Sequence, residues 1–271
     1  MTKVGLPVVF AEPTTVREFP DVIVFSGGRL AASHAERAAR AVGRVLEHQG
    51  ITGGARVRLA PANCARGPML VQVNLRVRAT PTRVQAVTRG RDDLSSALAR
   101  LDRQIVRVRA AWRPRPWPDR TRLMLTAPAD AVITRRKPVR LLRGSPAQAV
   151  VEMDAMDYDV HLFTDAETGE DAVVYRAGPS GLRLARQRRM CPPGWSCLPP
   201  TGCVQPVSLV VNSRPTPMFA EDAAVMRLRA HGLRFLFFTN PATGRGQLLY
   251  PRYDGNLGLV TPVDDPSRDD V

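Results

Sequence analysis

Apolar residues recur along this chain in two rhythms, and the switches between them mark out its elements. Val22 to Ser26 is a short apolar run closing on Gly27-Gly28 and predicts a first strand. From Ser33 to about His48 the rhythm turns helical, with Ala35, Ala38, Ala39, Val42 and Leu46 on one stripe. Ser33 with Glu36 three residues on has the capping-box pattern, and Gly50 follows the far end. Three stretches of period two come next. Ala55 to Ala60 alternates Arg56 and Arg58 with Val57 and Leu59. Leu70 to Arg78 alternates Val71, Val73, Leu75 and Val77 with Gln72, Asn74, Arg76 and Arg78, and Arg83 to Thr88 follows Thr80-Pro81. A second helix spans Asp92 to Trp112, where Leu94, Ala97, Leu98, Leu101, Ile105 and Val108 share a stripe. Asp92 and Asp93 sit where its dipole favours carboxylates, Arg109 and Arg113 where it favours cations, and Pro114 and Pro116 stop it. The order β-α-β-β-β-α predicts an α+β, two-layer domain over residues 1–113, both helices covering one face of an antiparallel-rich sheet.

The rest of the chain repeats itself. Residues 114–131 hold prolines at short intervals and read as an extended linker, beside which Trp112 and Trp117 are expected to dock on their own domain. Val160 to Gly169 followed by Val173 to Tyr175 recurs as Phe235 to Gly244 followed by Leu248 to Tyr250, at a constant offset of 75, with Leu182/Leu257 and Leu184/Leu259 in register. This is an internal duplication, its period too long for a solenoid. Each copy opens on a helix: Ser145-Pro146-Ala147-Gln148 supplies a cap, while Ala220 stands at the equivalent place in the second copy. Each then reads strand, Thr-Gly turn, strand ending in Tyr, short strand. The boundaries expected are 132–190 for the first copy, 191–212 for a Pro/Cys linker, 213–263 for the second copy and 264–271 for an acidic tail. A domain of about fifty residues leaves much apolar surface uncovered, so each copy needs a partner. The apolar strand residues Val160, Leu162, Phe163, Tyr175, Phe235, Phe237, Phe238 and Tyr250 are the candidate pairing surface. Copies tethered by about thirty residues see each other at an effective concentration on the order of millimolar, which favours a pseudo-dimer within one chain and a monomeric protein.

Charge divides the chain in the same way. Residues 1–115 carry 20 Lys plus Arg against 8 Asp plus Glu, and most of the net +14 resides there, whereas residues 139–271 carry no surplus of cations. On the two N-terminal helices the cations fall opposite the apolar stripes: Arg37, Arg40 and Arg44 on the first, Arg100, Arg103 and Arg107 on the second, at the same spacing. After Asp93, Asp102 is the one acid on the second helix. A one-sign stripe calls for a polyanion, and phosphate fits. Arg76, Arg78, Arg83, Arg89 and Arg91 form a second tier, since some strand arginines must face solvent.

The order of elements, the cationic helices and the run Asp93-Leu94, Ala97, Leu101-Asp102-Arg103-Gln104-Ile105 resemble the N-terminal domain of the ribosome hibernation promoting factors, the S30AE or sigma-54 modulation family, over residues 20–113. Both copies of the repeat resemble the C-terminal domain of that family's long form: Asp165, Glu167, Thr168, Gly169, Val173, Val174 and Tyr175 in the first, Asn240, Thr243, Gly244, Tyr250, Asp254, Gly255, Asn256, Gly258 and Leu259 in the second. The resemblance implies a translation inhibitor that lodges in the channel of the small ribosomal subunit where messenger and transfer RNA meet. It would contact 16S ribosomal RNA and hold 70S ribosomes idle. A long-form member has one such C-terminal domain, whose dimerisation pairs two ribosomes; a chain with two that pair in cis would bridge ribosomes poorly.

Other chemistry finds little footing. His34, His48, His161 and His231 are scattered, no nucleophile-base set stands out, and Gly27-Gly28 and Gly53-Gly54 lack the grammar of a phosphate loop, so no enzyme, cofactor or small-molecule substrate is expected. Cys64 stands alone, and Cys191, Cys197 and Cys203, six apart without a histidine nearby, read as linker cysteines rather than a metal site. With no secretory leader and no apolar run of membrane-spanning length, a cytoplasmic protein is expected. Two other classes stay open on residue pattern alone: a general double-stranded RNA binder, and a transcription-side adaptor using the tandem repeats for protein contacts.

Overall fold

The computed structural model describes residues 14–16, 21–26, 30–61, 69–90, 93–115, 117–119, 124–177, 181–189 and 209–263. The chain divides into two compact units, one running to Arg113 and taking in Ala155–Asp157, the other made of Pro114–Asp154 and the chain from Tyr158 onward.

In the first unit the order is β1 (Thr14–Val16), β2 (Val22–Ser26), α1 (Ala32–His48), β3 (Ala55–Pro61), β4 (Met69–Val77), β5 (Thr80–Val87) and α2 (Ser95–Arg109). The strands form one sheet in the order β1-β2-β3-β4-β5. Strands β2 and β3 run parallel because α1 is the crossover between them, and the other pairs are antiparallel. The α+β reading from sequence holds; β1 is added to it, three residues being too few to show an alternation. Val57, Leu59, Val71, Val73, Val77 and Val84 face the helices and close on Ala38, Val42, Leu46, Leu101 and Ile105. The alanines of α1 let its backbone approach the sheet closely.

Both helix starts differ from expectation. Helix α1 begins at Ala32, behind Ala31, with no side-chain cap. Ser33 therefore lies inside the first turn, exposed, where its hydroxyl cannot reach back as a cap residue's does. Helix α2 begins at Ser95, and Asp93 accepts its backbone N–H at 3.0 Å and its hydroxyl as well. Those two bonds hold the Asp93 carboxyl below its ordinary range.

The second unit holds β6 (Ile133–Val139), β7 (Arg143–Gly144), α3 (Pro146–Ala155), β8 (Val160–Asp165), β9 (Asp171–Tyr175), β10 (Arg183–Arg186), β11 (Val210–Val211), α4 (Glu221–Ala230), β12 (Leu236–Thr239), β13 (Gly246–Pro251) and β14 (Leu257–Pro262). The offset of 75 maps α3 onto α4 residue for residue. It also maps the parallel pair Arg143/Thr164 onto the bridge Met218/Thr239. Ser145 and Gln148 form a reciprocal capping box, the Ser145 N–H donating to Oε1 at 2.8 Å and the Gln148 N–H to Oγ at 3.3 Å, whereas Ala220 gives α4 no side-chain cap. Gly169 and Gly244, at φ +73° and +66°, close the two Thr-Gly turns in a conformation that only glycine adopts without strain.

Two sheets result, β11-β10-β9-β8-β7 and β12-β13-β14-β6. Each takes one strand from outside its own copy. Strand β6, which opens the first copy ahead of its helix, runs parallel to β14 of the second, and β11, which precedes the second, runs parallel to β10 of the first. The registers correspond: Gly258/Arg135 and Leu259/Arg136 map onto Arg183/Val210 and Leu184/Val211 under the same offset.

Strand alternation then sorts the apolar residues into two sets. Phe238, Leu236, Leu249 and Leu259 pack against Ala224 and Leu228 of α4 in a core belonging to the second copy. Leu162, Val173 and Ala185 of the first copy instead share a cluster with Phe237 and Leu248 of the second, with Val160, Tyr175, Phe235 and Val260 packed around it.

Candidate nucleic-acid interface

The cationic surface of the first unit begins with the turn of its helices. Burying Ala35, Ala38, Ala39, Val42 and Leu46 leaves Arg37, Arg40 and Arg44 exposed on the opposite side of α1. On α2, Ala97, Leu101, Gln104 and Ile105 are buried and Arg103 is exposed. The helices are tied to each other: Gln49 donates to Asp102 at 2.7 Å, and Arg109 donates to Gln49 Oε1 at 3.2 Å and to its carbonyl. The one acid expected on the cationic face of α2 is thus held by the neighbouring helix.

Arg100 is a correction. Its guanidinium meets Asp157 in a two-pronged bond, Nε to Oδ2 at 3.0 Å and NH2 to Oδ1 at 2.9 Å, with the two side chains 11% and 2% exposed. Asp157 also accepts the Gln85 N–H of β5 at 2.8 Å, and Gln104 donates to the Ala155 carbonyl at 3.1 Å. Residues Ala155–Asp157 thereby protect the edge of the sheet beside α2, and Arg100 belongs to that seam rather than to an outward stripe. Fifty-seven residues separate the partners, so no pattern local to the helix reveals the pairing. Arg107 is half-buried and bonds to Gln104 at 3.4 Å.

The strand arginines divide likewise. Arg76 is exposed and donates to the Ala79 carbonyl at 2.9 Å; Arg78 is exposed in the β4–β5 turn at φ +54°; Arg89 is exposed after β5. Arg83 is half-buried against Asn74 at 2.6 Å. Arg91 lies outside the described residues, as do Cys64, Cys191, Cys197 and Cys203. On the sheet face turned from the helices Arg56, Asn74 and Arg83 sit side by side across β3, β4 and β5, with Arg58, Gln72 and Gln85 as the next row; of these arginines Arg83 alone was expected from sequence. Adjacent strands are about 4.8 Å apart, so the backbones of Arg56 and Arg83 flank that of Asn74 at roughly 10 Å from each other. The alternation Arg56-Val57-Arg58-Leu59 was the available signal.

Of the residues proposed for pairing, Val160, Leu162, Tyr175, Phe235 and Phe237 lie in the cluster shared by the two copies. Phe163 and Phe238 do not: both are fully buried, Phe238 in the core under α4 and Phe163 at the equivalent place, because successive strand residues point to opposite faces. The two tyrosines meet equivalent residues, one in β6 and one just beyond β11. The Tyr175 hydroxyl donates to Asn212 at 3.0 Å, and the Tyr250 ring lies under Lys137 at 5.0 Å. Among the described residues no group of three or more metal-binding side chains comes together, and no helix is long and apolar enough to cross a membrane.

Residues 129–184 match the family model described as the Sigma 54 modulation/S30EA ribosomal protein C terminus. Two curated relatives from Mycobacterium tuberculosis, strains CDC 1551 and H37Rv, are each named Dormancy associated translation inhibitor. The chain is 69% identical to each over 265 residues, covering 97% of this chain and 96% of the relative.

Proposed function

Because the chain belongs to the sigma-54 modulation/S30EA family, we propose that it is a translation-inhibiting hibernation factor of the cytoplasm whose first unit grips 16S ribosomal RNA in the decoding region of the small subunit. The observation that carries the reading is the outward set Arg40, Arg44 and Arg103, presented by helices whose other faces are buried, with Asp102, the one acid of α2, engaged by Gln49. Side chains fixed on helices over a packed sheet form a rigid cationic lattice, which suits a folded RNA of set shape. The sheet arginines Arg56, Arg76 and Arg83 would supply further phosphate contacts.

The second unit, in this reading, is a pseudo-dimer formed in cis. Exchange of β6 and β11 and the shared apolar cluster support it. The tandem repeats then satisfy one another, and the protein idles single 70S ribosomes in place of pairing them.

Sedimentation with ribosomal particles tests the binding. Co-migration with 30S and 70S particles is expected, with protection of small-subunit nucleotides on footprinting; comigration with any duplex RNA at equal affinity would overturn it. If Arg37, Arg40, Arg44, Arg103 and Arg107 each neutralise a phosphate, log affinity falls against log salt with a slope of about −4. Sedimentation of the protein alone tests the pairing: a monomer at micromolar concentration is expected, and a stable dimer overturns it.

A further inference from the structure

The two repeats are alike in fold and unlike where they touch. Under the offset of 75, Asp171 is the counterpart of Gly246, and these two meet: the Gly246 N–H donates to Asp171 Oδ2 at 2.8 Å. A Cβ added at Gly246 would lie 2.7 Å from the Cβ of Asp171. A residue in contact with its own counterpart lies at the axis relating the copies, so pairing between two like repeats would bring two identical residues together there.

The flanking chemistry is one-sided. Arg245 clasps Asp171, Nε to Oδ2 at 2.8 Å and NH2 to Oδ1 at 3.2 Å, and Asp171 is 3% exposed. The counterpart of Arg245 is Glu170, which instead accepts the N–H groups of Arg188 and Arg189. Buried Gln187 donates to the Thr239 hydroxyl and the Gly244 carbonyl of the second repeat, both at 3.0 Å; its counterpart is Pro262, which has no donor to offer the first.

We infer that Asp171, Arg245 and Gly246 form a heterotypic lock, by which the first repeat accepts the second as its partner and rejects another copy of itself. This rests on the cis-pairing reading and adds its specificity. Two first repeats would set Asp171 against Asp171 in a buried site with Glu170 where the cation should be, and two like charges cannot both stay ionised there. Two second repeats would bring two Arg245 together with no carboxylate, around a void left by the missing Asp171 side chain. Removing either partner of a buried pair leaves an uncompensated charge, the costly case. Chains held on separate ribosomes therefore cannot join through like repeats.

The test exchanges the lock in the full-length chain. Phe237 abuts Gly246 where the first repeat has Leu162, so that position moves with it. One variant carries L162F, E170R and D171G; the other carries F237L, R245E and G246D. Each alone is expected to stay monomeric on sedimentation at micromolar concentration, with the unfolding temperature of its C-terminal unit lowered by about 10 °C. Mixed one to one, they should form a heterodimer and recover most of that loss. All six changes in one chain should restore a monomer within about 3 °C of the original. One-sided variants as stable as the parent overturn the lock, as does a six-fold variant no more stable than they are. A dimeric parent protein would sink cis pairing alone, since complementation between the variants still scores the lock.

Discussion

Arginine does opposite things in the two units. In the first, Arg40, Arg44 and Arg103 stand out from helices whose buried faces are alanine, valine and leucine, and they meet solvent. In the second, several arginines turn inward or lie along carboxylates: Arg176 and Arg115 share Asp154 with all three side chains 3–6% exposed, Arg186 bonds to Asp165 at 2.8 Å, and Arg245 clasps Asp171. The first unit leaves these three cations to solvent, and the second sets the named ones against its own carboxylates. Net charge therefore says little until each cation's neighbours are known. Arg100, bound by Asp157 at the sheet edge, shows that the first unit also ties an arginine to a carboxylate.

The sharpest break of this contrast reverses the exposed set. Changing Arg40, Arg44 and Arg103 together to Glu should lower affinity for 30S particles by roughly three to four orders of magnitude, as three attractions become repulsions, with the unfolding temperature moved by less than about 2 °C. Adding Arg100→Glu should instead unfold the seam at Asp157, visible as a drop in that temperature.

Next in size is Asp154→Ala. Withdrawing the carboxylate shared by two buried guanidiniums should cost about 4 kcal/mol in denaturant unfolding while leaving RNA affinity unchanged.

His161 gives a somewhat smaller, pH-dependent effect. Burial lowers its pKa to about 4 from 6.5, and Glu152, the acid facing it at 3.8 Å from α3, is itself pushed up by burial. The unfolded chain therefore takes up a proton at His161 before the folded one does. Its stability is complete above pH 6.5 and falls by up to about 3 kcal/mol as pH drops toward 4. His161→Leu, the residue found at the equivalent Leu236, should flatten that part of the stability profile.

Smallest is Asp254→Ala. This exposed carboxylate meets Arg252 at 2.6 Å, and its loss should cost under about 1 kcal/mol, a measure of how little a solvated pair contributes beside a buried one.

Much of this was open to reading from the chain. Period two placed β3, β4 and β5, period 3.6 turned α1 and α2, and the offset of 75 exposed the duplicated unit, because each rests on local spacing that the backbone geometry enforces. Other features depend on partners far along the chain. Phe163 and Phe238 were misassigned within strands correctly placed, since both faces of a doubly buried strand are apolar and only packing tells which one meets the helix.

The sequence by itself determined the alternation, the cationic helices and the repeat, all of them properties of neighbours within a few residues or of exact recurrence. Tertiary structure alone decided that Arg100 is spent on Asp157, that β6 and β11 cross to the other repeat's sheet, and that Asp171 meets Gly246. Each of those depends on which distant side chain fills the space opposite, and a one-dimensional pattern holds no record of that.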